Sequence, residues 1–221
     1  VYAVRAKSGK VLWTYKAGGA VKGGLAYANG KLFFGDYGGQ VHGISAKNGK
    51  GIWTSGGGGA LGVGGGQFYG TASVAFGRVY IGNTNSSVYS FATSNGELAW
   101  RQGTGGYVYS SAAVADIPKL GPTVYIGSYD GNLYALNAKS GAVRWSKPAG
   151  GRISGGIQII GDLVFYSTLE KKTAALSVRS GRTIWSVPKG QFNPAISDGK
   201  LLFVVGLTSM FAYETKTAGK L

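Results

Sequence analysis

Tryptophan recurs along this chain at nearly fixed intervals, and each copy arrives in the same company. The five are Trp13, Trp53, Trp100, Trp145 and Trp185, spaced 40, 47, 45 and 40 residues apart. Ten residues before each stands a small residue: Ala3, Gly43, Ser90, Ala135, Ala175. Four before each stands a glycine: Gly9, Gly49, Gly96, Gly141, Gly181. A sixth copy opens at Ala212, with one extra residue before its glycine, and the chain stops before a tryptophan. Self-similarity at this period marks a propeller or a solenoid, built from units that bury their apolar faces only against one another.

The residues inside a repeat choose between the two. Each Ser-Gly or Asn-Gly pair ahead of a tryptophan lies between apolar runs and reads as a hairpin turn, glycine supplying the positive φ. Upstream, Asn132-Leu133-Tyr134-Ala135-Leu136-Asn137 alternates with period two, as a strand does. A further recurring segment reads Lys31-Leu32-Phe33-Phe34-Gly35, Arg78-Val79-Tyr80-Ile81-Gly82 and Thr123-Val124-Tyr125-Ile126-Gly127. Before it comes a strand of small residues ending at a turn, as in Ala26 to Gly30 and Ser73 to Gly77. Four strands per repeat, the smallest side chains innermost, describe the blade of an all-β propeller. The 41 glycines fit many tight turns, and 44% hydrophobic residues exclude a disordered glycine-rich segment. Nothing has a helical period, and no Trp-Asp pair of the WD40 type occurs.

One propeller domain is expected over 1–221, with repeats near 1–40, 41–87, 88–132, 133–172 and 173–209 and the start of a sixth. Strand counting starts the chain on the last two strands of a blade and ends it inside another. Closure then needs at least six blades, and the opening Val1 suggests a portion of a longer protein. Cysteine is absent, which excludes disulfides and thiolate metal sites, and no apolar run is long enough for a membrane-spanning helix.

The pattern Ala-x-x-x-x-x-Gly-x-x-x-Trp, repeated five times with its companion strands in step, resembles the tryptophan-docking motif of the PQQ-like (pyrroloquinoline-quinone-type) propeller family over essentially the whole chain. The resemblance implies two functions. Quinoprotein dehydrogenases of the family hold PQQ and Ca2+ on the propeller axis and use an aspartate as base. Other members bind no cofactor and serve as extracytoplasmic scaffolds, as does the outer-membrane assembly lipoprotein, whose branch this chain is similar to. The dehydrogenases' adjacent cysteine pair has no counterpart here, and no stretch matches their calcium or base motifs. The eight acids (Asp36, Glu97, Asp116, Asp130, Asp162, Glu170, Asp198, Glu214) lie mostly in turns, where aspartate bonds local backbone. The lone His42 falls in the strand register of Tyr2, Tyr89 and Tyr134, an aromatic structural position. The glycine run Gly58 to Gly66 lacks the Lys-Ser/Thr tail of a phosphate loop and reads as a long connection.

The expectation is a non-catalytic binding or scaffold propeller, periplasmic, cell-surface or secreted, of bacterial or archaeal type, without a cofactor. The alternatives are a dehydrogenase using PQQ and Ca2+, and a carbohydrate-binding propeller. Net charge is +15, and its placement offers two surfaces. Hairpins before the tryptophans carry Lys7, Lys10, Lys47, Lys50, Lys139, Arg179, Arg182, Lys216 and Lys220 against Glu97. They form one basic face, which either keeps the tips soluble or attracts an anionic protein, envelope polymer or lipid headgroup. On the opposite face the loops entering the inner strands bring Lys22, Tyr69, Tyr109, Ile153 and Gln191, with Arg152 beside them, to an axial mouth. That mouth either plugs the axis or holds an acidic loop or a sugar. Nucleic acid is disfavoured, because the basic residues form no evident groove.

Overall fold

The computed structural model describes residues 1–56, 65–193 and 195–214. Most of the Gly58–Gly66 run, with Lys216 and Lys220, therefore lies outside the described residues. Six antiparallel sheets follow one another in chain order, each a meander of sequential hairpins. The first pairs β1 (Tyr2–Val4) with β2 (Val11–Thr14). The second holds β3 (Ala26–Ala28), β4 (Lys31–Gly35), β5 (Gln40–Ser45) and β6 (Gly51–Gly56). The third holds β7 (Ser73–Ala75), β8 (Arg78–Asn83), β9 (Ser87–Ala92) and β10 (Leu98–Gly103). The fourth runs β11 (Ala113–Ile117), β12 (Gly121–Gly127), β13 (Asn132–Asn137) and β14 (Val143–Pro148). The fifth runs β15 (Gln158–Ile160), β16 (Leu163–Ser167), β17 (Thr173–Ser177) and β18 (Thr183–Val187). The sixth has β19 (Ile196–Ser197), β20 (Leu201–Val205) and β21 (Met210–Glu214). These sheets are propeller blades, each turned face-on to the next.

Pairing explains the small residue ten before each tryptophan. The two are cross-strand partners: Ala3 with Trp13, Gly43 with Trp53, Ser90 with Trp100, Ala135 with Trp145, Ala175 with Trp185. The indole lies over its partner, so a Cβ added at Gly43 would run into the Trp53 ring. In every copy the register shifts beside this pair, a β-bulge that re-aims the large side chain.

The glycine four before each tryptophan does more than turn the chain. It takes a positive φ, as at Gly49 (70°), Gly96 (74°), Gly141 (77°) and Gly181 (66°). It is also the platform for the preceding blade's tryptophan. A Cβ at Gly49 would meet the Trp13 ring at 2.6 Å, one at Gly96 the Trp53 ring at 2.5 Å, and one at Gly141 the Trp100 ring at 2.8 Å. From that seat each indole N–H donates to a carbonyl of the next blade: Trp13 to Ala46 (3.2 Å), Trp53 to Thr93 (3.1 Å), Trp100 to Ala138 (3.0 Å), Trp145 to Val178 (3.2 Å). The Tyr80 and Tyr125 hydroxyls donate to the same Ala138 and Val178 carbonyls, filling both lone pairs. Trp185 meets Tyr213 of the sixth blade edge-on, with centroids 5.4 Å apart.

The core lies between blades. Phe33, Val41 and Trp53 pack with Phe68, Val79 and Tyr89, and Tyr80, Val88 and Trp100 pack with Val108, Val124 and Leu136. Nearer the axis, large meets small across each junction. Phe68 fills the space over Gly35, Val108 over Gly82 and Ile153 over Gly127, where a Cβ would collide. At the last junction Ser167 replaces that glycine, and Gly190 faces it.

Two substitutions test this account. Trp100→Ala should cost about 3–5 kcal/mol in denaturant unfolding, as other buried large-to-small changes do, while the exposed Lys139→Ala should stay within about 0.5 kcal/mol. Equal losses would contradict the burial pattern. Gly141→Ala and Gly30→Ala both place alanine at a positive φ, 77° and 74°, a strain of about 1–2 kcal/mol. Only Gly141 also meets an indole, whereas Gly30 has nothing within 4 Å. Gly141→Ala should therefore be clearly the more damaging of the two.

Candidate functional site

The loops that enter the inner strands are tied down by the loops between second and third strands. Tyr37 N–H donates to Ala20 O, Thr84 to Gln67, Tyr129 to Tyr107 and Leu169 to Arg152, at 2.8–3.0 Å. A side-chain oxygen in the same connecting loop returns a bond. Asp36 accepts from Gly19 N–H (2.9 Å), Thr84 Oγ1 from Gln67 (2.8 Å), Asp130 from Gly105 (2.7 Å), and Glu170 from Arg152 (2.8 Å). Three of the turn acids, Asp36, Asp130 and Glu170, are thus latches.

Latched in this way, the mouth carries a row of tyrosines. Ring centroids lie 5.8 Å apart for Tyr37–Tyr69, 5.0 Å for Tyr69–Tyr109 and 4.7 Å for Tyr109–Tyr129, with Tyr107 6.0 Å from Tyr109. Lys22 Nζ stands over Tyr37 at 5.9 Å and the Arg152 guanidinium over Tyr129 at 5.8 Å, so a cation closes each end. Beside the row opens a groove of about 480 Å³ lined by Tyr69, Tyr109, Tyr129, Ser154, Phe192 and Asn193. Burial raises the Tyr109 pKa, and the neighbouring Tyr129, Tyr107 and Tyr69 raise it further. Its hydroxyl stays a proton donor through the physiological range.

Of the residues expected at the mouth, Lys22, Tyr69, Tyr109 and Arg152 meet in this row. Ile153 and Gln191 do not. Lys22, Tyr69, Tyr109, Ser154 and Phe192 each stand four residues before the first paired residue of an inner strand (Ala26, Ser73, Ala113, Gln158, Ile196). Ile153 is one residue earlier, fully buried against Gly127. Gln191 is likewise one earlier, its amide donating to Leu169 O at 2.6 Å, and it lines a separate groove with Lys189 and Phe211. A one-residue offset turns a side chain to the other face of an extended segment. Tyr37, Tyr107 and Tyr129 were not anticipated. Tyr37 and Tyr129 each follow the strand-ending Gly35 or Gly127 by two residues, so repeat alignment of that loop carried the signal.

On the opposite face Lys7, Lys47, Lys50, Lys139 and Arg179 are all solvent-exposed. Among the described residues only Arg179 has a carboxylate nearby, Asp162 at 3.9 Å. His42 is buried and stacked on Phe34 at 5.0 Å, the register it shares with Tyr89 and Tyr134. Its Nε2 pairs with Asp36 Oδ2 and its Nδ1 with the Tyr15 hydroxyl, each at 3.0 Å. His42 and Asp36 are both buried, and of this constellation Tyr15 alone lines a groove. The acids do not suit a calcium ion, which needs 6–8 oxygens. Asp36 is consumed by Gly19, Gln40 and His42. Asp130 is taken by Gly105, Asn132 and Tyr134, and Glu170 by Arg152. Among the described residues no three His, Cys, Asp or Glu side chains converge.

A family model described as outer membrane protein assembly factor BamB matches residues 1–217. The chain belongs to the BamB family. Among solved structures, this BamB-family propeller is similar to BamB from Moraxella catarrhalis (TM-score 0.77, 16% identity, 95% of this chain and 66% of that one). It also resembles the computationally designed Ika8 protein (0.79, 12%, 96% and 64%) and the quinohemoprotein alcohol dehydrogenase of Comamonas testosteroni (0.75, 15%, 92% and 48%). The chain therefore spans less than two thirds of each of these structures, and at such identities the likeness is one of fold. No curated protein matches the sequence.

The latches predict an acid sensitivity for the BamB-family chain. Burial pushes the Asp36 carboxyl up, but hydrogen bonds from Gln40, His42 and Gly19 outweigh it and hold its pKa below the ordinary value. Glu170 is also lowered: burial opposes, and the Arg152 side chain and backbone prevail. A depressed folded-state pKa contributes stability that is present above the unfolded value, about 4, and lost as pH falls through the folded one. Asp36→Asn should destabilise the fold at pH 7 by about 1–3 kcal/mol. It should also flatten the decline of unfolding free energy below about pH 4. A variant with an unchanged acid limb would remove Asp36 from that role.

Proposed function

We propose that this BamB-family chain is a non-catalytic binding or scaffold propeller of the cell envelope, outside the cytoplasm, and engages an anionic protein or envelope polymer through its basic hairpin face. The observation that carries the reading is the set of exposed cations Lys7, Lys47, Lys50 and Lys139 on three hairpin tips of one face, with no carboxylate within 4 Å among the described residues. The tip bearing Lys47 and Lys50 is held by the docked Trp13 and that bearing Lys139 by the docked Trp100, so these charges sit on a rigid frame. Family membership supports an assembly role. The occupied carboxylates favour work without PQQ, Ca2+ or a catalytic base. Nothing in the site favours an enzyme.

Binding of the full chain to anionic vesicles or an acidic envelope polymer should weaken steeply with salt, since screening at physiological ionic strength acts over about 8 Å. Lys7→Glu, Lys47→Glu, Lys139→Glu and Arg179→Glu, combined, should abolish it at a stability cost of roughly 0.5 kcal/mol per site or less. Unchanged binding would leave these residues as solubility devices. Titration with PQQ and Ca2+ should show no tight complex; binding with alcohol or sugar oxidation would replace this reading with a dehydrogenase.

A further inference from the structure

The tyrosine row at the axial mouth is a second recognition surface, and its chemistry is more specific than that of the hairpin face. Elsewhere the buried Tyr80, Tyr125 and Tyr166 spend their hydroxyls on Ala138 O, Val178 O and Ala149 O, and the half-buried Tyr134 on Asp130. In the row the hydroxyls of Tyr37, Tyr69, Tyr107 and Tyr109 find no acceptor among the described residues, although their rings touch in sequence. Burial, with Tyr69 and Tyr109 nearby, raises the Tyr37 pKa as it does that of Tyr109. The surface therefore presents hydroxyl donors in a line.

Its ends are cationic. Arg152 spends its Nε on Glu170 at 2.9 Å, which fixes the guanidinium over Tyr129 and leaves its two terminal nitrogens without an acceptor among the described residues. Lys22 is exposed and has no carboxylate within 4 Å. Of the acids beside the row, Asp36 is fully buried and Asp130 half-buried, each on backbone N–H groups, while the exposed Glu170 is paired with Arg152. Aromatic faces between two cations suit an extended chain whose carboxylates reach the ends and whose flat or apolar residues lie across the rings. A neutral sugar would use the rings and hydroxyls but gain no charge–charge attraction from Lys22 and Arg152.

We propose that the Lys22–Tyr37–Tyr69–Tyr109–Tyr129–Arg152 row docks an extended acidic peptide segment of a protein partner, at a site separate from the hairpin face. The inference rests on the reading of the chain as a binding propeller, and it names the partner chemistry of one face.

The test uses the full chain and a fluorescein-labelled ten-residue peptide of alternating Glu and Pro, followed by anisotropy at low and physiological salt. A Gln–Pro peptide and a cello-oligosaccharide compete in parallel. Binding should fall at least tenfold in Lys22→Gln/Arg152→Gln, two exposed positions whose neutralisation leaves the core untouched, and comparably in Tyr69→Ala/Tyr109→Ala. It should stay within twofold in the four-site hairpin reversal, whose own readout is vesicle or polymer binding. Tryptophan fluorescence and unfolding midpoints identify any variant that fails to fold, and the charge pair then stands alone as the test. The proposal is overturned by absent Glu–Pro binding, by equal affinity for the Gln–Pro peptide, by displacement by the oligosaccharide alone, or by loss on hairpin reversal with none at the mouth. A chain that binds vesicles but not the peptide would overturn this proposal and leave the hairpin reading intact; the reverse result would do the opposite.

Discussion

An indole N–H reaching from one blade to a main-chain carbonyl of the next, across a glycine that offers its bare face, is the contact on which this structure turns. Trp13, Trp53, Trp100 and Trp145 all make it. A large ring supplies apolar burial, and its single polar atom is satisfied at the far edge, so nothing polar is stranded in the junction. The receiving glycine has to be glycine twice over. The hairpin needs a left-handed residue there, and the ring occupies the space a Cβ would take. Because each junction joins only neighbours, stability is distributed along the chain as in other repeat architectures.

Closer to the axis a different complementarity takes over. Phe68, Val108 and Ile153 each fit over a glycine that ends a second strand, and the Gly190–Ser167 junction trades the roles. These buried residues immediately precede Tyr69, Tyr109 and Ser154. The same anchoring that fills the axis therefore turns the following residue outward to the mouth. The acid latches at Asp36, Asp130 and Glu170 fix the backbone on either side. A loop secured at both levels can hold aromatic rings in a row with little entropy left to lose on binding.

The two faces consequently differ in kind. The hairpin face is a set of exposed cations on short stems, suited to attraction at a distance and sensitive to salt. The mouth has fewer charges, held in place by an ion pair and by stacking, with free hydroxyl donors between them. Among the described residues the carboxylates of Asp36, Asp130 and Glu170 are spent largely on backbone amides of neighbouring loops. Asp36 illustrates the point, fully buried with both oxygens committed to Gly19, Gln40 and His42.

Sequence by itself determined the all-β repeat, the four-strand blade and the place of each tryptophan, since period, hairpin turn and alternation are local properties of the chain. It also brought Lys22, Tyr69 and Tyr109 together, because they recur at one phase of the repeat, with Arg152 two residues earlier in the corresponding loop. It misplaced Ile153 and Gln191 by one residue, a shift that local composition cannot detect in an irregular loop but that reverses the direction of a side chain. Tyr37, Tyr107 and Tyr129 gained their meaning only in three dimensions. They come from different loops, and what joins them is the stacking of blades about an axis. The glycine platforms were half legible: the turn showed in the Ser-Gly and Asn-Gly pairs, whereas the ring resting on each glycine comes from a blade some 40 residues away, and only tertiary packing could bring it there.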